Sequence, residues 1–210
     1  MSIRIHEIFL SLQGEASRVG LPTVFVRLTG CPLRCGYCDT AYAFHGGESQ
    51  TLEQILTRVE SYGVKRVTVT GGEPLAQKEC LDLLTTLCDK GYDVSLETSG
   101  AMDISMVDAR VSIILDIKTP GSGELDKNLW ANLPQLKAKD EVKFVLCDRA
   151  DYDWAKQVLA EHKIACPVLF SPVYSQLPPR ELAEWIVADR LPVRFQLQLH
   201  KILWGEEPGR

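Results

Sequence analysis

The chain has 210 residues, 45% hydrophobic, 24% charged and 8% aromatic, and its 23 lysines and arginines against 28 aspartates and glutamates give a formal net charge of -5. This suits one globular domain and excludes disordered, collagen-like and mucin-like classes, while the acidic balance leaves no electrostatic footprint for nucleic acid or anionic lipid. Charged residues at 4, 6 and 7 argue against a signal peptide, and apolar runs such as 111–115 fall short of a membrane span, so the expected setting is cytoplasmic and an odd count of seven cysteines reads as ligands or buried hydrophobes rather than disulfides.

In chain order, residues 1–22 form an N-terminal extension, 23–200 a repeating strand-helix core, and 201–210 a tail, all in one domain over 1–210. Short β-branched runs predict strands at 23–29, 65–70, 92–98, 111–118, 142–147, 168–171 and 194–200. Helices are predicted at 52–62 behind an N-capping Thr51, at 77–90 ending on Gly91, at 152–162 and at 179–189. Such alternation selects an α/β fold of parallel strands buried on both faces, which suits their near-continuous apolar character. A complete eight-fold barrel typically takes about 250 residues. The expected architecture is therefore an incomplete (β/α) barrel of about six parallel strands.

Ligands in such folds gather at the carboxyl ends of the strands, and the segments there are loaded with functional side chains. They are the run from Gly30 to Thr40, Gly71-Gly72-Glu73-Pro74, Glu97-Thr98-Ser99-Gly100, Asp116-Ile117-Lys118 and Ser171-Pro172. In the first, Cys31, Cys35 and Cys38 are spaced C-x3-C-x2-C, close enough for one loop to wrap one inorganic centre with soft thiolates. Three ligands leave a position open, which suits a four-iron cluster that binds a substrate or cofactor at its free iron. His45 as a fourth ligand would make a zinc site instead, and three clustered cysteines can also occur without metal. Cys80 and Cys88 stand eight residues apart on one predicted helix, a rise of about 12 Å that forbids a disulfide. Cys147 and Cys166 read as buried.

Other positions carry two readings each. Gly71 and Gly72 let backbone approach a ligand closely, or simply turn the chain. Arg27 shares a strand face with Phe25 and Thr29, and a guanidinium there needs an anion, met internally by Glu15 or Glu97 or else by a bound carboxylate. Asp116 and Lys118 suit a strand-end ion pair. Gln196, Gln198 and His200 alternate with apolar residues, so all three point one way on a strand.

The cluster run, with Tyr37 before the last cysteine, resembles the signature of radical S-adenosylmethionine (SAM) enzymes, and the Gly71–Pro74 turn resembles their second motif. Within that superfamily Ser11-Leu12-Gln13-Gly14-Glu15, Cys38-Asp39-Thr40 and Gln198-Leu199-His200-Lys201 resemble the 7-carboxy-7-deazaguanine synthase family, with matches from residue 11 to 201. The three-residue gap between the first two cysteines is the generic superfamily form, and residues 204–210 extend past the last match.

The resemblance implies a [4Fe-4S] cluster on Cys31, Cys35 and Cys38, bound SAM, and Mg²⁺ at Thr40. It implies conversion of 6-carboxy-5,6,7,8-tetrahydropterin to 7-carboxy-7-deazaguanine with loss of ammonia, started by a 5'-deoxyadenosyl radical, SAM being regenerated. Tyr37, Cys38, Asp39, Gly72, Glu97, Ser99, Asp116, Ile117, Lys118, Ser171, Pro172, Val173 and Tyr174 are the implied SAM contacts. Leu12, Gln13, Gly14, Glu15, Arg27, Thr70, Gln198 and His200 are the implied pterin contacts, with Arg27 on the substrate carboxylate. The implied assembly is a homodimer served by an external one-electron donor such as flavodoxin. A glycyl-radical activating enzyme shares the triplet and the partial barrel, and a zinc-stabilised, non-catalytic interaction protein is the reading from outside enzymology.

Overall fold

In the computed structural model the described residues are 2–205, 207 and 209; the ends of the 1–210 domain span and positions 206, 208 and 210 of the predicted tail lie outside them. The chain opens on a strand that the sequence reading set aside as an extension. This strand, β1 (Ser2–Leu12), pairs antiparallel with β2 (Pro22–Leu28) on one side and with β3 (Glu48–Thr51) on the other. Its period-2 pattern is present in Ile3 and Ile5, which are fully buried. An irregularity between Ile5 and Glu7 then shifts the register, which hides the alternation further along.

From β2 onward every ladder is parallel: β4 (Arg66–Gly71), β5 (Asp93–Thr98), β6 (Ser112–Ile117), β7 (Glu141–Leu146), β8 (Val168–Pro172) and the two-residue β9 (Arg194–Phe195). The order β3-β1-β2-β4-β5-β6-β7-β8-β9 leaves β3 and β9 as free edges, so the barrel is open. Four helices cover the outside: α1 (Leu52–Glu60), α2 (Cys80–Asp89), α3 (Arg149–Glu161) and α4 (Pro179–Asp189). Thr51 caps α1 in a reciprocal box with Gln54, and Gly91, at φ 76°, follows α2 in the left-handed region. The helices bury residues at helical spacing, Leu83, Leu84 and Leu87 on α2 among them, each worth about 1.5–3 kcal/mol of burial.

The strands are less uniformly apolar than the sequence reading held, and their alternation builds the site. Val24, Val26 and Leu28, Val67 and Val69, Val94 and Leu96, and Val142, Phe144 and Leu146 pack in the core under the helices. Between them Arg27, Thr70, Glu97, Asp116 and Lys143 face a cavity inside the barrel. Two connections depart from expectation. The β6-to-β7 crossover carries no α-helix but three short 3-10 segments, Pro120–Ser122, Leu125–Lys127 and Trp130–Gln135. The strand predicted at 194–200 stops at Phe195, and α5 (Leu199–Trp204) takes over: Gln196 N–H still donates to Phe170 O of β8 at 3.0 Å, but beyond it the chain turns to residues 14–16, the Gln196 amide exchanging bonds with both backbone groups of Ala16 and Leu199 N–H donating to Gly14 O at 3.0 Å.

Candidate active site

A cavity of about 400 Å³ opens at the carboxyl ends of the strands. One wall is the loop between β2 and β3. Gly30, at φ 96°, starts it, and Cys31, Cys35 and Cys38 all line the cavity as free, half-buried thiols. The loop is held mainly through its backbone: Gly36 N–H donates to Ser122 O at 3.0 Å, Glu73 N–H to Gly30 O at 2.8 Å and Arg34 N–H to Glu124 Oε1 at 2.5 Å. Gly72 is glycine because a Cβ there would lie 2.4 Å from Gly30 O and 2.6 Å from Cys31 Cβ, and one at Gly71 would lie 2.5 Å from Leu28 O. The close approach inferred from the sequence is thus made to the chain's own cysteine loop and strand.

Burial pushes all three thiols up, Cys35 to about 11, with Lys118 pulling each back. Thiolate is the form that both ligates metal and attacks electrophiles, so a metal centre bound here would displace the three thiol protons as it binds. His45 is exposed and does not line the cavity. Among the described residues no three His, Cys, Asp or Glu side chains gather tightly enough to hold a single ion. The donor set of three soft thiols on one loop, opening into a cavity, fits an iron-sulfur cluster with one free corner.

Behind this wall Glu73 is fully buried and accepts from Leu75 N–H, Ser99 N–H and the hydroxyls of Thr98 and Ser99 at 2.5–3.0 Å. It pins the end of β5 to the glycine turn and so fixes Ser99, an implied cofactor contact. Asp116 and Lys118 pair at 3.0 Å, as expected, and Asp116 Oδ1 is buried with no hydrogen-bond partner. An oxygen so placed calls for a donor from a ligand, which fits the hydroxyl or ammonium groups of SAM. Val173 and Tyr174 also face the cavity, whereas Ile117 belongs to the apolar core and Ser171 and Pro172 do not line it. Strand alternation turns the Ile117 side chain away from the cavity, which leaves only its backbone to meet a cofactor. The Ser171 hydroxyl is, like Asp116 Oδ1, buried without a hydrogen-bond partner. Cys147, expected to be buried, is half-exposed.

The opposite wall is charged. Leu12, Gln13, Gly14, Glu15, Thr70, Gln198 and His200 all line it. His200 packs so tightly on Gly14 that a Cβ there would meet its Nδ1 at 2.2 Å. Gln198 and His200 therefore do face the site together, from the start of α5 rather than from a strand. Gln13 donates to Thr68 and to Glu97 Oε1 at 3.1 and 3.2 Å, and its Oε1 accepts from Gly14 N–H at 2.8 Å. Thr70 donates to Glu97 Oε2 at 3.5 Å, so Glu97 is tied to implied substrate residues although the resemblance placed it with SAM. Arg27 pairs with Glu7 at 2.7 Å, directly across the β1/β2 ladder, and not with Glu15 or Glu97. Those candidates failed because β1 was not foreseen. Tyr42 donates to the same Glu7 oxygen at 2.8 Å. Beside Arg27 the Phe9 and Phe25 rings stack at 5.1 Å, an apolar wall for a flat ring.

Lys143, from the middle of β7, reaches Glu15 Oε2 at 2.5 Å and Asp116 at 3.9 Å. Burial pushes Glu15 up, but the charge of Lys143, with His200, outweighs it and holds the carboxyl below its ordinary value. Glu97 stays raised, because burial and the neighbouring Glu15 prevail over Lys143 there. At the rim, the His200 imidazole at 3.9 Å, the Thr40 hydroxyl donating at 2.7 Å and the Lys201 ammonium at 3.8 Å overcome burial and hold Asp39 low. Lys143, Glu73, Phe9 and Lys201 were not foreseen as site residues.

An open parallel barrel with a three-thiol loop at its carboxyl end is the architecture of radical SAM enzymes, and the Radical SAM superfamily model matches residues 25–121. The chain is 47% identical to a 7-carboxy-7-deazaguanine synthase of Chlorobaculum tepidum over 98% of this chain and 96% of the relative. It is 39% identical to that of Koribacter versatilis over 98% of each. The chain belongs to the 7-carboxy-7-deazaguanine synthase family. The crystal structure of QueE from Escherichia coli shares its fold, with a TM-score of 0.79 and 24% identity over 95% of each chain. Among the described residues no helix is long and apolar enough to cross a membrane.

Proposed function

We propose that this chain converts 6-carboxy-5,6,7,8-tetrahydropterin to 7-carboxy-7-deazaguanine with release of ammonia, as a radical SAM lyase of 7-deazapurine biosynthesis. The observation that carries the reading is one cavity with three thiols on one wall and, on the other, a carboxylate-matching arginine beside a donor-and-acceptor strip. A cluster held by Cys31, Cys35 and Cys38, with SAM bound beside it, would supply the one-electron chemistry that starts the reaction.

The chain's own residues bind and orient. Cys31, Cys35 and Cys38 hold the cluster. Gly72, Ser99, Asp116 and Lys118 hold SAM, with Tyr37, Asp39, Val173 and Tyr174 along its nucleoside. Glu7 occupies Arg27 Nε, so the two Nη groups are left to take the pterin carboxylate end-on. Glu15, Gln13 and Gln198 meet the polar edge of the ring, with Glu97, Thr70 and His200 beside it. Thr40, next to Asp39, offers Mg²⁺ a hard oxygen while substrate and water complete its shell. The enzyme works as a cytoplasmic homodimer fed by an external one-electron donor such as flavodoxin, a reading supported by the family resemblance.

A glycyl-radical activating enzyme would leave Arg27 and the 12–15 strip without a task. The test is anaerobic incubation of the reduced, cluster-loaded protein with SAM and the carboxytetrahydropterin, read by mass spectrometry. 7-Carboxy-7-deazaguanine is the expected product; 5'-deoxyadenosine without it would reject the substrate.

A further inference from the structure

We propose that Lys143 is the positioning residue that keeps Glu15 a charged, aimed acceptor for the heterocycle. The inference rests on the proposed substrate and deepens it.

Among the described residues the cavity is lined by the buried carboxylate of Glu15, the half-buried ones of Glu97 and Asp116, and three buried ammonium groups, Lys118, Lys143 and Lys201, the last of which faces Asp39 at 3.8 Å. Lys118 is committed to Asp116 at 3.0 Å. Lys143 is thus the cation on Glu15, with the side chains of both only 10% exposed. A carboxylate buried this deeply without a cation takes up a proton. A protonated Glu15 would present one donor and a weakened acceptor, and would no longer match the ring N–H and exocyclic amine of a pterin or deazaguanine. Direction is fixed as well as charge. Lys143 takes Oε2 and the Gln198 amide donates to Oε1 at 2.9 Å, which orients the carboxylate from both sides. The groups facing Glu15 are Lys143 from β7, Gln198 and His200 from the start of α5, and Glu97 from β5, with Asp116 of β6 behind Lys143. Every residue of β7 is buried and the strand is paired on both sides, which holds the Lys143 backbone in place.

The pairing is asymmetric, and this makes it testable. Removing Lys143 deprives Glu15 of its ammonium partner, whereas Asp116 keeps Lys118. Anaerobic calorimetry on cluster-loaded protein, titrated separately with 7-carboxy-7-deazaguanine and SAM from pH about 5.5 to about 8, reads both sides. For Lys143→Met the deazaguanine affinity should fall about tenfold or more at the acid end and recover as pH rises and Glu15 ionises, while SAM affinity moves less than about threefold. Wild type should show no such slope. Lys143→Arg should restore the flat profile, and Lys143→Gln takes the place of the methionine variant if that one does not fold. The double variant Lys143→Met/Glu15→Gln should bind weakly at every pH. Unchanged binding in Lys143→Met or Lys143→Gln, or an equal and pH-independent loss of both ligands, would overturn the role. Wild type that binds SAM but no deazaguanine would instead bring down the substrate reading, and the inference with it.

Discussion

The two walls of the cavity are built by different physics. The cysteine wall is held by backbone hydrogen bonds and by glycines that let three segments touch, and its thiols are raised by burial. The facing wall is held by side chains that neutralise one another, Glu15 with Lys143 and Arg27 with Glu7. A wall made by backbone fails when a ligand or a spacing is lost. A wall made by charge fails in proportion to the charge removed, and often conditionally on pH.

Four perturbations sharpen this contrast. The largest effect should come from Cys35→Ala, which leaves two ligands: iron retention and turnover should drop to background, while thermal unfolding of the metal-free chain barely shifts. Arg27→Lys should lower kcat/KM about 100-fold, mostly through KM, because an ammonium cannot reproduce the planar two-point contact with a carboxylate. Gly72→Ala forces Cβ against Gly30 O and Cys31; it should destabilise the fold by about 1–3 kcal/mol in denaturant titrations and weaken SAM about tenfold. The smallest effect is kinetic. Because the thiols titrate above their usual range, with Cys35 at about 11, the thiolate fraction is small at neutrality and grows with pH. Iron-sulfur reconstitution should therefore speed up from pH about 7 to about 9 with the final iron content unchanged.

The same contrast explains what could be read from the sequence. Spacing and periodicity are local, so Cys31, Cys35 and Cys38, the Thr51 cap, the Gly91 stop and the strands β2 and β4 to β8 were legible, and with them the open barrel; β3, four residues without an apolar pattern, was not. Pairing is not local. Glu7 meets Arg27 only because β1 joins the sheet, and Glu15 meets Lys143 across 128 positions of chain. The alternation at 194–200 misled for a related reason: Gln198 and His200 face the cavity, but Gln196 does not line it and spends its side chain on the Ala16 backbone. Lys143, a lone cation in a predicted buried strand, was the available signal for the network, since such a charge requires a partner.

The central claim is that the two walls hold cofactor and heterocycle at the same time, in one cavity. Calorimetric titration of 7-carboxy-7-deazaguanine into cluster-loaded, anaerobic protein, with and without saturating SAM, tests it directly. One deazaguanine bound per chain in the presence of SAM, with affinity equal or higher than in its absence, is the predicted result. Mutual exclusion of the two ligands would contradict the account.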